Sequence, residues 1–498
     1  MLRTPVKNEC YTVEITDYTT EGAGIGHVLE GFPLFIRDTA IGDLCRVRVM
    51  KVKGRYGYAR IEELLRPSSS RISPVCPEAR RCGGCQFQHI DYAAELAFKE
   101  QKVQNHLIRI GGFDATFIEE ISEGILGMHT GDSRNEPPSR YRNKAQVPVG
   151  QTPEGEITCG FYAGHSHRII PMEDCALSPA EYGQILRVVC AHCASHHIAP
   201  YDEQTGRGFL RHILLRKGFS TGELMVCLIV NRPGDTMKEQ RGDAASQKRE
   251  RIPGQHRLIQ ALIQIPGMAS ICVNYNPRRT NVILGDVTEV LWGAEVIRDE
   301  LCGRLFRIGP RAFYQVNPVQ TEALYQQAAV YAGLHDAESG ECPVADEEHP
   351  TVLWDIYCGI GTIGQTMADT VSRVIGIEVI PEAVENAREN AAANSLVNTE
   401  YHTGSAEEIL PRLVEEREAH AAGRTAARDI VVIDPPRKGC DEACLNAILS
   451  LAPERIVYIS CDSATLARDL RILADGGYAL RQWRAFDLFP RTVHVETV

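Results

Sequence analysis

The alternation of apolar and polar positions divides the chain into three stretches of different texture. From residue 1 to about 66 the apolar runs are short: Cys10-Tyr11-Thr12-Val13-Glu14-Ile15, Gly22-Ala23-Gly24-Ile25-Gly26 and Phe32-Pro33-Leu34-Phe35-Ile36. Closely spaced strands with glycine punctuation predict a small barrel. After Pro67-Ser68-Ser69-Ser70, helical spacing runs from Asp91 to about Ile110 and stops at Gly111-Gly112. Strand-like runs then mix with polar insertions around 131–140 and 233–255, up to about residue 310. From about 311, strands alternate with helices, which is the α/β signature. Two polar segments interrupt it, His335 to Pro350 and Glu415 to Arg428, and both read as exposed loops.

Composition narrows the class. At 498 residues the chain is too long for one core, and two or three domains are expected. No apolar run approaches the roughly 20 residues that span a bilayer. Met1-Leu2-Arg3-Thr4-Pro5 leads into strand-like sequence without the apolar core of a signal peptide. A cytoplasmic protein with no membrane partner is the expectation. The net charge of −12 does not mark a nucleic-acid binder, so any RNA contact must come from local patches. One such patch is Arg46-Val47-Arg48-Val49-Met50-Lys51-Val52-Lys53-Gly54-Arg55-Tyr56-Gly57-Tyr58-Ala59-Arg60, with six basic residues and no acid. Alternation puts Arg46 and Arg48 opposite Val47 and Val49. Interleaved with Tyr56 and Tyr58, these cations suit a single nucleic-acid strand and suit a merely solvated strand face equally.

Seventeen cysteines, an odd number, argue against a complete disulfide framework, and clustered thiols read as metal ligands or nucleophiles. Cys45, Cys227 and Cys272 sit in apolar stretches and read as small core residues. Cys76, Cys82 and Cys85 place three thiols within reach of one metal centre that needs a fourth ligand. Zinc and an iron–sulfur cluster both fit that spacing.

The clearest chemistry lies in the α/β stretch. The apolar strand Val352 to Tyr357 runs into Cys358-Gly359-Ile360-Gly361-Thr362-Ile363-Gly364, a GxGxxG turn, and Glu378 ends the following strand where a ribose-binding acid belongs. Alone, this is equally a dinucleotide fingerprint. Two further strands end in Asp434-Pro435-Pro436-Arg437 and Ser460-Cys461-Asp462. Ligands of open α/β sheets gather at the carboxyl ends of strands, so Tyr357, Glu378, Asp434 and Cys461 fall along one rim. A dehydrogenase has no use for a thiol and an Asp-Pro-Pro-Arg turn there.

At these residues the sequence resembles the RNA uracil-5-methyltransferase family. The resemblance rests on Phe313-Tyr314-Gln315-Val316-Asn317, the Asp355 to Gly361 turn, Asp434-Pro435-Pro436-Arg437, Ser460-Cys461-Asp462 with Thr465-Leu466-Ala467-Arg468-Asp469, and His494-Val495-Glu496-Thr497-Val498. It covers nearly the whole chain, since residues 1–66 look like the TRAM barrel that many members carry. Ser463 departs from the proline usual after the Cys-Asp pair. The resemblance implies S-adenosylmethionine as methyl donor, Cys461 as the nucleophile that adds to carbon 6 of uracil, and Glu496 as the base that removes the carbon 5 proton. It further implies that Gln315, Tyr357, Thr362, Ser405 and Asp434, together with Glu378, contact the cofactor. Asp434 would also bond the target base. Asp462, beside the nucleophile, would by itself raise the thiol's pKa.

The ribosomal-RNA branch of the family carries a 4Fe–4S cluster with this cysteine spacing, and Cys175 matches its distant fourth ligand. Iron–sulfur is therefore favoured over zinc, and 23S rRNA over tRNA as substrate. The CxxxxxCxxC spacing is not the CxxxCxxC of radical S-adenosylmethionine enzymes. Cys190-Ala191-His192-Cys193 also has ligand spacing, but no family ligand falls there, and it reads as helix-borne and unliganded. The expected architecture is thus a Rossmann-like class I methyltransferase domain (311–498), an OB-like TRAM barrel (1–66), and a central α+β domain (67–310) with the cluster, whose helix of about 91–110 is free to pack on the catalytic domain. Rival readings are an aminomethylating enzyme, which would want an aromatic at Arg437; an NAD oxidoreductase, which explains only the glycine turn and Glu378; and a non-catalytic Fe–S RNA-binding protein, which leaves Cys461 and Glu496 coincidental.

Overall fold

The computed structural model describes residues 3–128, 138–164, 166–232, 250–335, 350–419 and 427–498. Strands Cys10–Tyr18, Gly24–Val28, Phe32–Ile36, Leu44–Lys53 and Tyr56–Arg66 close into a barrel. Period-two alternation turns Val13, Ile15, Leu34, Ile36, Cys45, Val47 and Val49 inward, which buries the apolar half of each strand and leaves Arg46 and Arg48 outside. The predicted small barrel is therefore present.

The middle of the chain forms a seven-stranded mixed sheet with Leu210–Lys217 and Leu224–Val230 near its centre. Both faces of those two strands are covered, and Leu224–Val230 is accordingly apolar throughout, whereas Leu210–Lys217 also buries Arg211, His212 and Arg216. Helices Ala180–Ser195 and Gln255–Leu262 pack on one face. On the other, Leu214, Met225, Cys227 and Cys272 share one core with Leu324 and Leu353 of the C-terminal part. Cys227 and Cys272 are fully buried, as expected for core residues.

The C-terminal part is a five-stranded parallel sheet in the order Thr399–Thr403, Arg373–Glu378, Thr351–Ile356, Arg428–Ile433, Arg455–Tyr458. The strand order reverses around Thr351–Ile356, so the crevice of this doubly wound sheet opens beside its carboxyl end. The segment His335 to Pro350, expected as a loop, lies almost entirely outside the described residues. Of Glu415 to Arg428, also expected as a loop, the start continues the helix Ala406–Ala419, Arg428 opens a strand, and residues 420–426 lie outside the description. The polar insertions around 131–140 and 233–255 are described only at their ends.

Space does not follow chain order. Helix Tyr92–Arg109 lies against helix Ser463–Asp475. Strand Ser122–Leu126 pairs parallel with Trp483–Phe486, which in turn pairs with the terminal strand Glu496–Thr497. Residues 92–126 thus join the C-terminal unit, crossing the boundary that chain order suggested. A fully buried ion cluster fastens the join. The Lys99 ammonium donates to Glu95 at 2.7 Å and to Asp487 at 2.6 Å, and Arg491 bridges to Glu95 at 3.3 Å. Among the described residues no helix is long and apolar enough to cross a membrane.

Candidate active site

The glycine turn is built for close approach. Tyr357, Gly359 and Gly361 all have positive φ, at 64°, 55° and 81°. That conformation costs an aromatic L-residue roughly 1–2 kcal/mol, and such strain is typical of functional turns. The turn feeds the short helix Thr362–Thr366. Asp355, wholly buried at the strand end, accepts the Gly364 N–H at 2.8 Å, and a Cβ on Gly364 would meet that carboxylate at 2.9 Å. The Glu378 carboxylate accepts the Gly359 N–H at 3.2 Å and the Ile380 N–H at 2.9 Å, which holds it over the turn.

Gln315 is fixed from the central sheet. Asn143 donates its side-chain amide to the Gln315 carbonyl at 2.9 Å and its backbone N–H to Val316 at 2.8 Å. The Gln315 amide then donates to Asp434 at 3.4 Å. The Thr362 hydroxyl lies 3.0 Å from the Tyr325 hydroxyl at the start of its helix. Ser405, half-buried, accepts backbone N–H groups from Glu408 and Ile409 through its carbonyl, at the entry to helix Ala406–Ala419.

Cys461 and Glu496 are far apart near the end of the chain yet adjacent in space. Ser460 and Thr497 exchange two backbone hydrogen bonds, both 2.9 Å, which clip the C-terminal strand beside the end of the strand that delivers Cys461. Glu496 is almost fully buried, and its Oε2 has no hydrogen-bond partner among the described residues. The sequence leads one to expect Asp462 to act on the thiol. Instead its carboxylate is turned into a helix cap, accepting from Ala464 at 2.9 Å and Thr465 at 3.2 Å. Ser463 opens the capped helix, where a proline's missing N–H would cost nothing and a serine's is equally tolerated. Its hydroxyl lies 2.8 Å from His106 Nδ1, so the departure from proline leaves the helix start intact and adds a tie to helix Tyr92–Arg109.

The electrostatics bind four residues into one unit. Burial, then Glu496 and Asp434, push the Cys461 thiol up to about 12, while Arg437 works the other way. Burial and then Asp434 hold Glu496 well above the usual carboxylate range, again opposed by Arg437. Asp434 is pushed up to about 7 by burial and then Asp355, against the hydrogen bond from Gln315. His494, half-buried beside Arg437, Lys102 and Lys99, is pushed down to about 4, chiefly by burial. Burial thus disfavours ionisation of both the thiol and the Glu496 carboxyl, and Arg437 is the cation that favours it in each.

Asp355 and Ser460 carry structural duties here that sequence reasoning did not assign. Asp355 stands inside the quoted glycine motif, and a buried acid before a turn rich in free N–H groups was the available signal. Nothing in the sequence announces that Ser460 pairs with Thr497.

Away from this rim, Cys76, Cys82, Cys85 and Cys175 come together. Cys175 is among the groups that raise the thiols of Cys76, Cys82 and Cys85, whose largest perturbation is burial. Cys85 is pushed up to about 12. Cys85 and Cys175 both rest on Met128, Tyr141 and Leu177. Among the described residues no three His, Cys, Asp or Glu side chains stand in metal-holding geometry. Cys190 and Cys193 do lie on a helix, Ala180–Ser195, as expected; the Cys190 sulfur is 3.2 Å from that of Cys159, and His192 bonds the Pro253 carbonyl at 2.8 Å.

Known proteins share this arrangement. Residues 341–498 match the tRNA (Uracil-5-)-methyltransferase family, and residues 7–61 match the TRAM domain. An uncharacterised RNA methyltransferase of Halalkalibacterium halodurans is 42% identical over 99% of this chain and 96% of its own length. One from Listeria monocytogenes is 40% identical over 99% and 97%. Among solved structures, the tRNA (uracil-54, C5)-methyltransferase of Pyrococcus abyssi, in complex with S-adenosyl-L-homocysteine, superposes with a TM-score of 0.68 at 24% identity, covering 98% of this chain and 99% of that one. That likeness establishes the fold.

Proposed function

The chain belongs to the RNA uracil-5-methyltransferase family, and on that premise we propose that it methylates a uridine of 23S rRNA through a transient bond between Cys461 and carbon 6 of the ring. The observation that carries the reading is the Ser460–Thr497 clip, which sets Glu496 and Cys461 within one electrostatic unit with Asp434 and Arg437.

Carbon 5 of uracil is too weak a nucleophile to take a methyl group unaided. Bound S-adenosylmethionine supplies an electrophilic methyl on a sulfonium. Glu378 would accept its ribose hydroxyls, with Tyr357, Thr362, Ser405 and Gln315 lining the rest of the site. A ligand can approach the backbone of the glycine turn closely, since nothing lies within 4 Å of where a Cβ on Gly359 would stand. Cys461, once ionised, adds to carbon 6 and pushes the ring electrons toward carbon 5, the covalent division of one hard step into easier ones. Asp434, near neutrality in its titration and tied to Gln315, would hold the ring's polar edge. After the methyl has moved, Glu496 takes the proton from carbon 5, and the electrons of that bond re-form the double bond and expel the thiolate. A carboxylate that burial makes more basic is suited to that removal. The base must leave any stack to expose its face, at a cost of a few kcal/mol.

Cys76, Cys82, Cys85 and Cys175 would hold a 4Fe–4S cluster, closed by four thiolates and so positional in role. The donor chemistry fits: burial and then the neighbouring thiols raise the pKa of Cys76, Cys82 and Cys85, a repulsion that a cationic centre would relieve. Iron and acid-labile sulfide on anaerobically purified protein test this. About four of each per chain support it, and stoichiometric zinc rejects it. These cysteines also support rRNA as substrate, whereas the description of the matching family favours tRNA. Mapping 5-methyluridine in cellular RNA after deleting the gene separates the two. Loss at a large-subunit site is expected, and loss confined to tRNA overturns that part of the reading.

A further inference from the structure

On the outer surface of the barrel, three aromatic rings meet where a strand pairing brings them together. Phe35 and Tyr58 are parallel partners across strands Phe32–Ile36 and Tyr56–Arg66. Phe35 stacks on Tyr56 with ring centres 5.2 Å apart and planes at 26°. Tyr58 closes the group edge-on, 5.9 Å from Phe35 and 5.7 Å from Tyr56. The Lys53 ammonium stands 5.7 Å from the Tyr56 ring centre and 5.9 Å from that of Tyr58. Inward alternation would have hidden these rings. Instead Tyr58 is 41% exposed, beside Met50 at 41%. Lys51 and Arg55, exposed on the same strand hairpin, add charge, whereas Arg48 and Arg60 are both engaged by Glu62.

The surface is also placed with respect to the active site. Glu21 lies close enough to Tyr58 to act on its hydroxyl. The turn that carries Glu21 is seated on the segment leading to His494 and Glu496. Lys102 donates to the carbonyls of both Thr20 at 3.5 Å and Val493 at 3.0 Å, and a Cβ on Gly22 would strike Val493 at 2.7 Å.

We propose that Phe35, Tyr56, Tyr58 and Lys53 form a stacking platform for an unpaired nucleobase of the RNA strand whose uridine enters the Cys461 site. A grouped aromatic surface bordered by Lys51, Lys53 and Arg55, with Glu21 on one side, on a protein of net charge −12 suits an anionic strand with exposed bases. Stacking is indifferent to base identity, so the platform supplies grip, and the uridine is chosen at the rim. The proposal rests on RNA being the substrate but not on methyl transfer.

The test measures binding of fluorescein-labelled single-stranded oligoribonucleotides to the full-length protein, beside a duplex of equal length. Replacing both tyrosines, Tyr56→Ala with Tyr58→Ala, is expected to weaken single-strand binding on the order of tenfold or more, from the usual worth of base–aromatic stacking. Tyr56→Phe with Tyr58→Phe keeps the rings and is expected to bind as the parent does, which also guards against misfolding of the alanine variant. In turnover the alanine pair raises KM for RNA and leaves kcat unchanged. Alanine variants that bind normally, phenylalanine variants that lose as much as alanine, or a duplex held as well as the single strand would each overturn the platform. Because binding is read directly, failure of the methylation reading would appear separately, as intact binding without product.

Discussion

Cys461 and Glu496 sit among charges that set where their protons rest: Glu496, Asp434 and Arg437 act on the thiol, and Asp434 and Arg437 on the carboxyl. Glu496 is second only to burial in holding the Cys461 thiol neutral. Glu496→Gln is therefore expected to have two opposite effects. The thiol pKa falls, so the free enzyme alkylates faster with iodoacetamide at neutral pH. Turnover nevertheless collapses, by the 10²–10⁴-fold usual for losing a general base, and protein–RNA adduct builds up because the carbon 5 proton cannot leave. Faster alkylation without stalled adduct would remove Glu496 from its role as base. A second residue-scale prediction concerns Asp355, whose carboxyl is pushed up to about 7, from 3.8, chiefly by burial. Since the folded value lies above the unfolded one, its protonated form favours the fold below about pH 4, and that contribution is lost as pH rises through about 7. Asp355→Asn should flatten the pH dependence of stability in that window, read from urea midpoints at fixed pH. An unchanged slope contradicts the assignment.

At the scale of elements, the site depends on pieces brought from elsewhere in the chain. Helix Tyr92–Arg109 carries Lys99 into a fully buried cluster with Glu95 and Asp487, which ties the helix to the loop just ahead of the C-terminal strand. Lys99→Met leaves Asp487 without a cation and Glu95 with Arg491 alone, and removing one partner of a buried ion pair costs about 3–5 kcal/mol. The loss should appear as a lower urea midpoint, with RNA methylation falling as the Glu496 strand loosens. A loss below about 1 kcal/mol would mean that the cluster relaxes by protonation instead. This tie also marks where sequence reading stops. The barrel, the parallel sheet and its glycine turn were legible because each is local: alternation for Val13 to Val49, and a GxGxxG turn after an apolar strand. The pairing of Ser122–Leu126 with Trp483–Phe486 was not, since strands more than 350 residues apart leave no mark on each other's periodicity. The same limit misassigned the field on Cys461 to Asp462, its neighbour in sequence, when Glu496 and Asp434 supply it in space.

Across the whole molecule, recognition is assigned in the proposed reading to the barrel and chemistry to the rim of the C-terminal sheet. The rim residues were legible because they stand at successive strand ends, and the approach of Cys76, Cys82 and Cys85 because their spacing is short, whereas Cys175 came only from the resemblance. With an overall charge of −12, binding rests on a few local cations, so the affinity should fall only shallowly with salt, by about 0.7 log unit per tenfold salt for each phosphate contacted. The account stands or falls on the bond between protein sulfur and pyrimidine carbon. The most direct measurement is intact-mass analysis of the enzyme incubated with S-adenosylmethionine and an RNA bearing 5-fluorouridine at the target position, where fluorine replaces the proton that Glu496 would remove. The account predicts a stable adduct of protein, RNA and one methyl group, mapped by digestion to Cys461 and absent from Cys461→Ala. An adduct on another residue, or continued methylation of ordinary uridine RNA by Cys461→Ala, would contradict it.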